Sequence, residues 1–388
     1  MKFRFLLFTC ALSLTVPAVL AVELELEPKI PPGYEPVDQN TEKGLWMELD
    51  QYESTIRNSA LLIKDGPIND YVQSAACRVT GDYCADLRIY VIRNPGFNAS
   101  MTANGVMQVW TGLLVRVSSE DELAAVLGHE LAHYTQLHTL ERLHKIHDNM
   151  ASGSILDFGI MITTGLAIPV GQYAAIADAM SFNRQQEEEA DLLGTKFMAQ
   201  SGYDPNAAAR VWEMIVTEED NATIKREEPG VFSQTHPSSA DRIITLKNFV
   251  EANYPGISPK TPDSRSHVEI LNRYYLMLME DQIDTNRFGR TENILKRHRE
   301  IGVEQSLIHF YRGEMYRQRN AEGDLGRAKE SYELAILEKE PIADAYRNLG
   351  YIDLKQGNAA LAVKNFRRYL ELKPDADDRA MIEFYLQE

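Results

Sequence analysis

The residues of this chain best suited to chemistry are two histidines and a glutamate in the run His129-Glu130-Leu131-Ala132-His133. His129 and His133 are four residues apart, so on a helix their imidazoles project from one side, one turn apart. Two neutral ring nitrogens in this geometry can reach one zinc ion at about 2.0–2.1 Å. Glu130 can take a proton from the attacking water molecule, as a general base does in metal-assisted hydrolysis. The alternative is a solvent-facing helix that merely carries two histidines.

These residues need a helix to position them, and the sequence predicts one within residues 119–147. Ser119 followed by Glu122 matches a capping box and marks where the helix begins. Apolar residues recur at helical spacing and give the helix a buried face: Leu123, Val126, Leu127 and Leu131.

An acidic run downstream offers the third protein ligand that a catalytic zinc ion needs. Glu187 and Asp191 share a helix face, which Gly194 continues and where it permits close helix packing. We expect Glu187 to be the third ligand, and Asp191 to accept the free N–H of a ligand histidine and fix its tautomer. Glu188 and Glu189 are expected at the surface. By itself such a run is more typical of a solvated helix face, and only the histidine pair changes that interpretation.

A further histidine, His236, precedes Pro237 at the start of another helix, with Arg242 on its first turns. Such a histidine can stabilise the oxyanion of a tetrahedral intermediate, or occupy the fourth zinc position and keep the enzyme inactive. A lone histidine is more often structural. Three histidines that follow the first pair are expected at the surface or behind the ligands: His138, His144 and His147.

A small sheet is predicted immediately before the helix that carries the histidine pair. Residues 87–92 alternate as a strand does, and two more short strands, 97–101 and 106–110, flank a turn-forming Asn-Gly pair. An edge strand beside a cleft can hold an extended peptide by backbone pairing, and Asn98 and Ala99 are the candidates for this contact. An ordinary hairpin is the alternative.

Composition bounds the class of protein. The chain has 388 residues, 44% of them hydrophobic, and a formal net charge of −17, which suits two soluble domains and argues against nucleic acid as a partner. Residues 1–21 match a secretory signal, with Lys2 and Arg4 before an apolar run and a small-residue cleavage site ending at Ala21. We therefore expect an exported protein.

Export also bears on Cys77 and Cys84, the cysteines that lie beyond the signal. An oxidising compartment favours a disulfide across their short loop over two free thiols. Zinc ligation by this pair is disfavoured, because no second pair exists.

Residues 158–177 carry no charge and are long enough to span a bilayer. Polar residues, glycine and proline interrupt the run, and Asp157 and Asp178 flank it. A buried helical hairpin or a lid over the site is therefore favoured over a membrane span. Peripheral contact with a membrane surface stays open.

The C-terminal part is predicted to hold two tetratricopeptide repeats, 306–342 and 343–376, followed by a capping helix over 377–388. Residues 256–305 are predicted as a helical connector, with a degenerate repeat as the alternative. A concave repeat surface would bind protein, whereas the plainer interpretation is that the repeats merely pack on the preceding domain.

Taken together, the motifs resemble the HtpX/CAAX-protease-like gluzincin metallopeptidases. The order and the wide spacing both match: the motif from His129 to His133, then Glu187 to Asp191, then His236-Pro237 with Arg242 six residues on. The signal segment and the repeats are similar to the BepA-type periplasmic members, although the repeat region here is shorter. The resemblance covers most of residues 45–255.

The resemblance implies an α+β, mostly α fold, in which a zincin-like metalloprotease domain over 45–255 follows an N-terminal arm, 22–44, and precedes a short repeat solenoid. It implies one zinc ion held by His129, His133 and Glu187, and Glu130 as the catalytic acid and base. His236 corresponds to the loop histidine.

The function that the resemblance implies is quality control of misfolded or stalled outer-membrane proteins in a bacterial periplasm. The expected partners are unfolded substrates and, through the repeats, the outer-membrane assembly machinery. An assembly chaperone or adaptor with a gated or structural zinc site is the rival. An intact Glu130 argues against that rival, because a structural site needs no base.

Overall fold

The computed structural model of the chain describes residues 26–36, 41–149, 181–220, 231–237, 240–257 and 264–387. Helices predominate there beside one three-stranded sheet, so the predicted mixed, mostly helical fold class is confirmed. The signal segment 1–21 and the uncharged run 158–177 lie outside the described residues. Among the helices that are described, none has the length and apolarity to cross a bilayer.

The sheet precedes the histidine-bearing helix, as predicted, and has the strand order β1-β3-β2. β1 covers Arg88–Ile92, β2 Ala99–Met101 and β3 Val106–Trp110. β3 pairs parallel with β1 and antiparallel with β2. Since β2 pairs only with β3 in this sheet, it is an edge strand. Gly105, in the turn between β2 and β3, has a φ of +87°, a conformation that only glycine adopts at low cost.

Two helices come before the sheet: α1, Thr41–Arg57, and α2, Gly66–Thr80. α1 has Glu42 in its first turn, where an acidic residue suits the N-terminus of a helix. The preceding residues 26–36 form neither helix nor strand.

A disulfide joins Cys77 in α2 to Cys84 in the short 3-10 turn Gly81–Asp86. Of the two alternatives that the sequence left open, the structure contains the bridge. It ties the end of α2 to the start of the sheet.

β3 runs into α3, Thr111–Arg116, and then into α4, Glu120–Thr135, the predicted zinc helix. Ser119 caps α4, because its side chain accepts a hydrogen bond from the N–H of Glu122 at 3.3 Å. The Glu122 carboxylate accepts from the N–H of Ser118 instead of completing the box with Ser119.

α5, His138–Asn149, follows α4 directly, and α6, Arg184–Gln200, crosses α4 at two glycines. A Cβ at Gly194 would lie 2.8 Å from the backbone nitrogen of His129, and one at Gly128 would lie 3.1 Å from the carbonyl oxygen of Gly194. Their absence lets the two helix backbones touch, so the side chains of both helices reach one point.

Three more helices complete this half of the molecule: α7, Asn206–Asp220, the short α8, Val231–Thr235, and α9, Ala240–Asn253. α7 packs against both α4 and α9.

The C-terminal half is helical throughout its described residues. It consists of α10, Arg265–Asp284; α11, Phe288–Ile301; α12, Gln305–Arg319; α13, Asp324–Leu337; α14, Ala343–Lys355; α15, Ala359–Leu372; and α16, Arg379–Tyr385. Each predicted repeat contains one antiparallel pair, α12 with α13 and α14 with α15. The two pairs share a detail: the bare Cα of Gly313 faces the ring of Tyr332, and that of Gly350 faces the ring of Phe366. A tetratricopeptide-like solenoid accounts for this repetition.

The two halves share buried contacts. His298 of α11 donates from Nε2 to the carbonyl oxygen of Val115 in α3 at 2.7 Å, and its Nδ1 accepts from the Tyr275 hydroxyl at 2.9 Å. The Arg116 guanidinium, 5% exposed, bonds to Glu218 of α7 and to Gln282 of α10. The connector helices α10 and α11 are therefore docked on the preceding domain.

Candidate metal centre

Four buried side chains from three parts of the fold converge on one point. His129 and His133 come from α4, Glu187 from the first turn of α6, and His236 from the residue after α8. One donor atom of each lies within 4.8 Å of the others. Nε2 of His129 is 3.1 Å from Nε2 of His133 and 3.2 Å from Nδ1 of His236. The exposed fraction of each residue is 5% or less.

The Glu187 carboxylate faces the histidines with one oxygen and a cation with the other. Oε1 lies 2.9 Å from Nδ1 of His236 and 3.5 Å from Nε2 of His133, and Oε2 lies 2.5 Å from Nη1 of Arg242. Burial alone would raise the pKa of this carboxyl. The nearby His236, His133 and Arg242 outweigh burial and hold the pKa of Glu187 well below its usual range. Glu187 is thus ionised, as a metal ligand must be.

Behind the cluster, Asp191 links a histidine to the same arginine. Its Oδ1 lies 3.0 Å from Nδ1 of His129, and both of its oxygens accept from Arg242 at 2.7 Å. Burial would raise the pKa of Asp191, but Arg242 and His129 lower it on balance. The face of Trp212 lies under the Arg242 guanidinium, with 3.6 Å between the central carbon and the ring centroid. Asp191 and Arg242 therefore lie directly behind the four donors.

Glu130 stands beside the cluster in a nearly dry environment. It is 2% exposed, and burial raises the pKa of its carboxyl to about 7, with the charge of His129 acting in the opposite direction. One of its oxygens, Oε1, lies 3.5 Å from Nε2 of His236 and has no hydrogen-bond partner among the described residues. The backbone of Met101 in β2 also hydrogen-bonds to the carboxylate. A carboxyl that titrates near neutrality can both take and give a proton.

Aromatic rings pack against His236 and His133 and restrict their orientation. Phe232 of α8 stacks on His236 with 4.6 Å between ring centroids, and Trp212 stacks on Phe232 at 5.6 Å. Phe182 stacks on His133 at 3.7 Å, and its backbone N–H donates to Thr235 in α8. No local sequence pattern predicts these roles, because the three aromatic residues come from three separate segments.

The edge strand β2 lies beside Glu130. The two predicted substrate residues, Asn98 just before the strand and Ala99 within it, direct their backbone groups to opposite sides. The carbonyl oxygen of Asn98 accepts from the N–H of Trp110, so the Asn98 backbone belongs to the sheet. Alternation along the strand turns the N–H and C=O of Ala99 to the outer edge, the side on which Met101 contacts Glu130. Asn98 and Ala99 are 4% and 1% exposed, respectively. Met101 is a residue of this edge that the sequence did not single out.

The donor set fits zinc. Imidazole nitrogens and a carboxylate oxygen are the ligands of catalytic zinc sites, and the carboxylate behind His129 is the kind of group that orients such ligands. The unpartnered Oε1 of Glu130 points to a missing polar neighbour at the same place.

Residues 64–250 match the model of Peptidase family M48, so this segment is a peptidase domain of that family. The match covers every member of the cluster. The domain is that of a zinc metalloprotease, which confirms the predicted enzyme class and cofactor, and the resemblance inferred from the motifs is confirmed with it.

Among its relatives is the beta-barrel assembly-enhancing protease of Escherichia coli O157:H7, 28% identical over 55% of this chain and 45% of the relative. The protein of the same name from Yersinia pestis is 26% identical over 58% and 49%. The mitochondrial metalloendopeptidase OMA1 of Schizosaccharomyces pombe is 32% identical over 42% and 46%. The chain spans about half the length of these curated relatives.

Proposed function

We propose that this protein is a zinc-dependent endopeptidase of a bacterial periplasm that removes misfolded or stalled outer-membrane proteins. The observation that carries the enzymatic part is the position of Glu130, a buried carboxyl with a free oxygen beside four convergent donors. A purely structural metal site has no need of such a group. The names of the bacterial relatives support the role in the assembly of β-barrel proteins.

In this proposal His129, His133 and Glu187 hold the metal. Bound zinc supplies a Lewis acid for the peptide carbonyl group. Glu130 takes a proton from the attacking water and later gives it to the leaving amine, a double role for which a pKa of about 7 is suited. Asp191 and Arg242 fix the orientation of His129 and Glu187 from behind.

The substrate is proposed to lie along the outer edge of β2. Backbone groups of Ala99 point to that edge, and Met101 on the same edge contacts Glu130, so an extended peptide paired there would bring its carbonyl group to the cluster. Pairing through the backbone accepts many sequences, which suits an enzyme that degrades unfolded chains. The burial of Ala99 means that the edge must open before a peptide can bind.

The repeats are proposed to bind protein partners. A groove of about 460 Å³ runs between α12, α14 and α16, and its lining mixes charged with apolar side chains, among them Arg317, Arg347, Asp378, Tyr351 and Met381. Such a lining suits an extended segment that carries both charged and apolar residues. Contact of residues 158–177 with a membrane surface and cleavage after Ala21 stay predictions.

A gated form of the same site is the second candidate, and the position of His236 favours it. Its Nδ1 lies among the donors, 2.9 Å from Glu187 and 3.2 Å from His129, where it would complete a fourfold set. A closed set of four protein ligands is typical of zinc that does no chemistry. His236 would have to leave this position, or turn towards the oxyanion, for catalysis.

The test is cleavage of an unfolded model protein by the purified chain beside its Glu130→Gln variant, with zinc content measured on both. We expect about one zinc per chain in both proteins and cleavage by the parent alone. Loss of zinc from Glu130→Gln would contradict its assignment as the base. Cleavage by Glu130→Gln as fast as by the parent would contradict it as well.

The His236→Ala variant separates the gate from the oxyanion role. If His236 closes the site, removing its ring raises the cleavage rate, and if it stabilises the oxyanion, the rate falls by about 10²-fold or more. A chain that holds zinc but never cleaves, with or without His236, would favour the adaptor.

A further inference from the structure

A fourth histidine, His138, lies directly behind the cluster. His138, the first residue of α5, is 1% exposed and belongs to no set of donors around the metal position. Its Nδ1 lies 3.1 Å from Nδ1 of His133, and its Nε2 lies 3.1 Å from Oε2 of Glu189. Glu189, expected at the surface, instead turns a partly buried carboxylate to this histidine.

The positions of the protons follow from these contacts. Nε2 of His133 faces the other donors, so a neutral His133 that binds metal there carries its proton on Nδ1. That N–H donates to Nδ1 of His138, which must be unprotonated in order to accept. The proton of His138 therefore sits on Nε2 and donates to Glu189. Each step leaves only one tautomer.

We propose that His138 is a positioning residue that fixes the tautomer and ring orientation of His133, with Glu189 as its anchor. This inference rests on the zinc centre proposed above and concerns only how one ligand is held. Gln185 supports the anchor, since its Nε2 donates to the other oxygen of Glu189 at 3.0 Å. The ring of Phe182 fixes the remaining freedom of His133 by stacking on its face.

The backbone between the two histidines supports a specific role. Leu137 has a φ of +60°, a left-handed conformation that is unfavourable for a residue with a side chain. This residue reverses the chain between α4 and α5, and the reversal turns His138 back onto His133. Such an outlier at a metal site persists when the structure around it requires that geometry.

The two ligand histidines of α4 are thus held differently. His129 meets the carboxylate of Asp191 directly at 3.0 Å, whereas His133 meets a carboxylate only through the neutral ring of His138. His298 shows what an ordinary buried histidine does in the same chain: its nitrogens end on a backbone carbonyl and a tyrosine hydroxyl. The His133–His138–Glu189 chain instead ends on a candidate ligand at one side and on a charge at the other.

The experiment measures the zinc dissociation constant of the full chain by competition with a chromogenic chelator, for the parent, His138→Leu and His138→Asn. Leucine removes the acceptor for His133, and we expect affinity to fall by about 10–100-fold. The Oδ1 atom of asparagine can occupy the place of Nδ1 and accept the same hydrogen bond. Affinity of His138→Asn is therefore expected within about threefold of the parent, a rescue that a loss of packing alone would not give.

His298→Asn is the matched control, because it also alters a fully buried histidine, but one that bonds to Val115 and Tyr275 and to none of the four donors in the described contacts. It should lower the melting temperature and leave the zinc dissociation constant unchanged. Glu189→Ala and Glu189→Gln form a second pair, in which only alanine removes the acceptor for His138. If His138→Leu does not fold, the zinc dissociation constants of this second pair test the proposal.

Two outcomes would overturn the proposal. One is a parent-like dissociation constant in folded His138→Leu, and the other is an equal loss in the leucine and asparagine variants. A parent chain that binds no zinc at all would instead overturn the proposed function, so the two failures are distinguishable.

Discussion

At the scale of single residues, Arg242 contributes more to the centre than its distance in sequence from the histidine pair suggests. It binds both carboxylates that face the histidines, and its guanidinium rests on the indole of Trp212. Without it, Glu187 and Asp191 would be two buried negative charges, compensated only by the metal and by the neighbouring histidines. The arginine therefore makes it possible for both to be ionised before zinc arrives.

We predict that Arg242→Met lowers the free energy of unfolding of the zinc-free protein by about 3–5 kcal/mol, because it strands two buried carboxylates. Urea unfolding after chelation measures this. Lys247→Met on the same helix is the control: Lys247 pairs with Glu213 at 2.5 Å, but the two side chains are 59% and 42% exposed. Such a surface pair contributes less than about 1 kcal/mol. Equal losses in the two variants would contradict the role given to Arg242.

At the scale of elements, the crossing of α4 and α6 determines where the ligands meet. His129 follows Gly128 directly, and Glu187 lies two turns before Gly194, so the contact between the glycines fixes the separation of the ligands. Side chains larger than hydrogen at the crossing would push the helices apart. The metal centre depends on two residues that contribute no side chain to it.

Gly194→Ala is expected to lower stability by about 1–3 kcal/mol through overpacking, because its Cβ would lie 2.8 Å from the His129 nitrogen. Zinc affinity should fall with it, since the shift displaces a ligand. Thermal unfolding with and without zinc measures both effects. Gly326→Ala, in α13 with nothing within 4 Å of the new atom, should instead stabilise by about 0.5–1 kcal/mol. A neutral Gly194→Ala would show that the helices can separate freely.

How far the sequence predicts this site depends on whether a contact is local. The proposed ligands and base were predicted from spacing along single helices, and His129, Glu130, His133 and Glu187 lie together in the structure. The contact between His138 and Glu189 could not be predicted, because it depends on the left-handed turn at Leu137. The orientation of the Asn98 backbone could not be predicted either, since it depends on which residues of β2 pair with β3. The domain boundaries stay predictions.

At the scale of the whole molecule, two buried histidines lie where the halves meet. His298 contacts α3, and Nδ1 of His267 lies 3.0 Å from the hydroxyl of Tyr71 in α2. Burial lowers the pKa of His267 to about 4 and that of His298 to about 3. Between these folded pKa values and about pH 6.5, both histidines are therefore neutral in the folded protein. In the unfolded chain they would be charged over the same pH range.

Acid should consequently weaken the docking of the halves. Between the folded and unfolded pKa values the unfolded chain binds more protons, so stability is complete above about pH 6.5 and falls as pH decreases, by about 1.4 kcal/mol per pH unit for each histidine. We predict that His298→Gln, which cannot take up this proton, loses about 2 kcal/mol less than the parent between pH 6.5 and 5. Urea unfolding at the two pH values measures the difference. An identical pH dependence in both proteins would contradict it.

The contact of His298 with Val115 has a consequence for how such proteins diversify. Val115 lies within the matched residues 64–250, yet its side chain belongs to the apolar core built by α10 to α14. The segment that the family model matches is thus not the same as the segment that packs into one core. An exchange of repeat tails between relatives would have to carry a compatible α3 with it, or the graft would place a foreign surface against a buried strip of the recipient. Recombination at the family boundary would then be selected against, however well each half functions in its own parent.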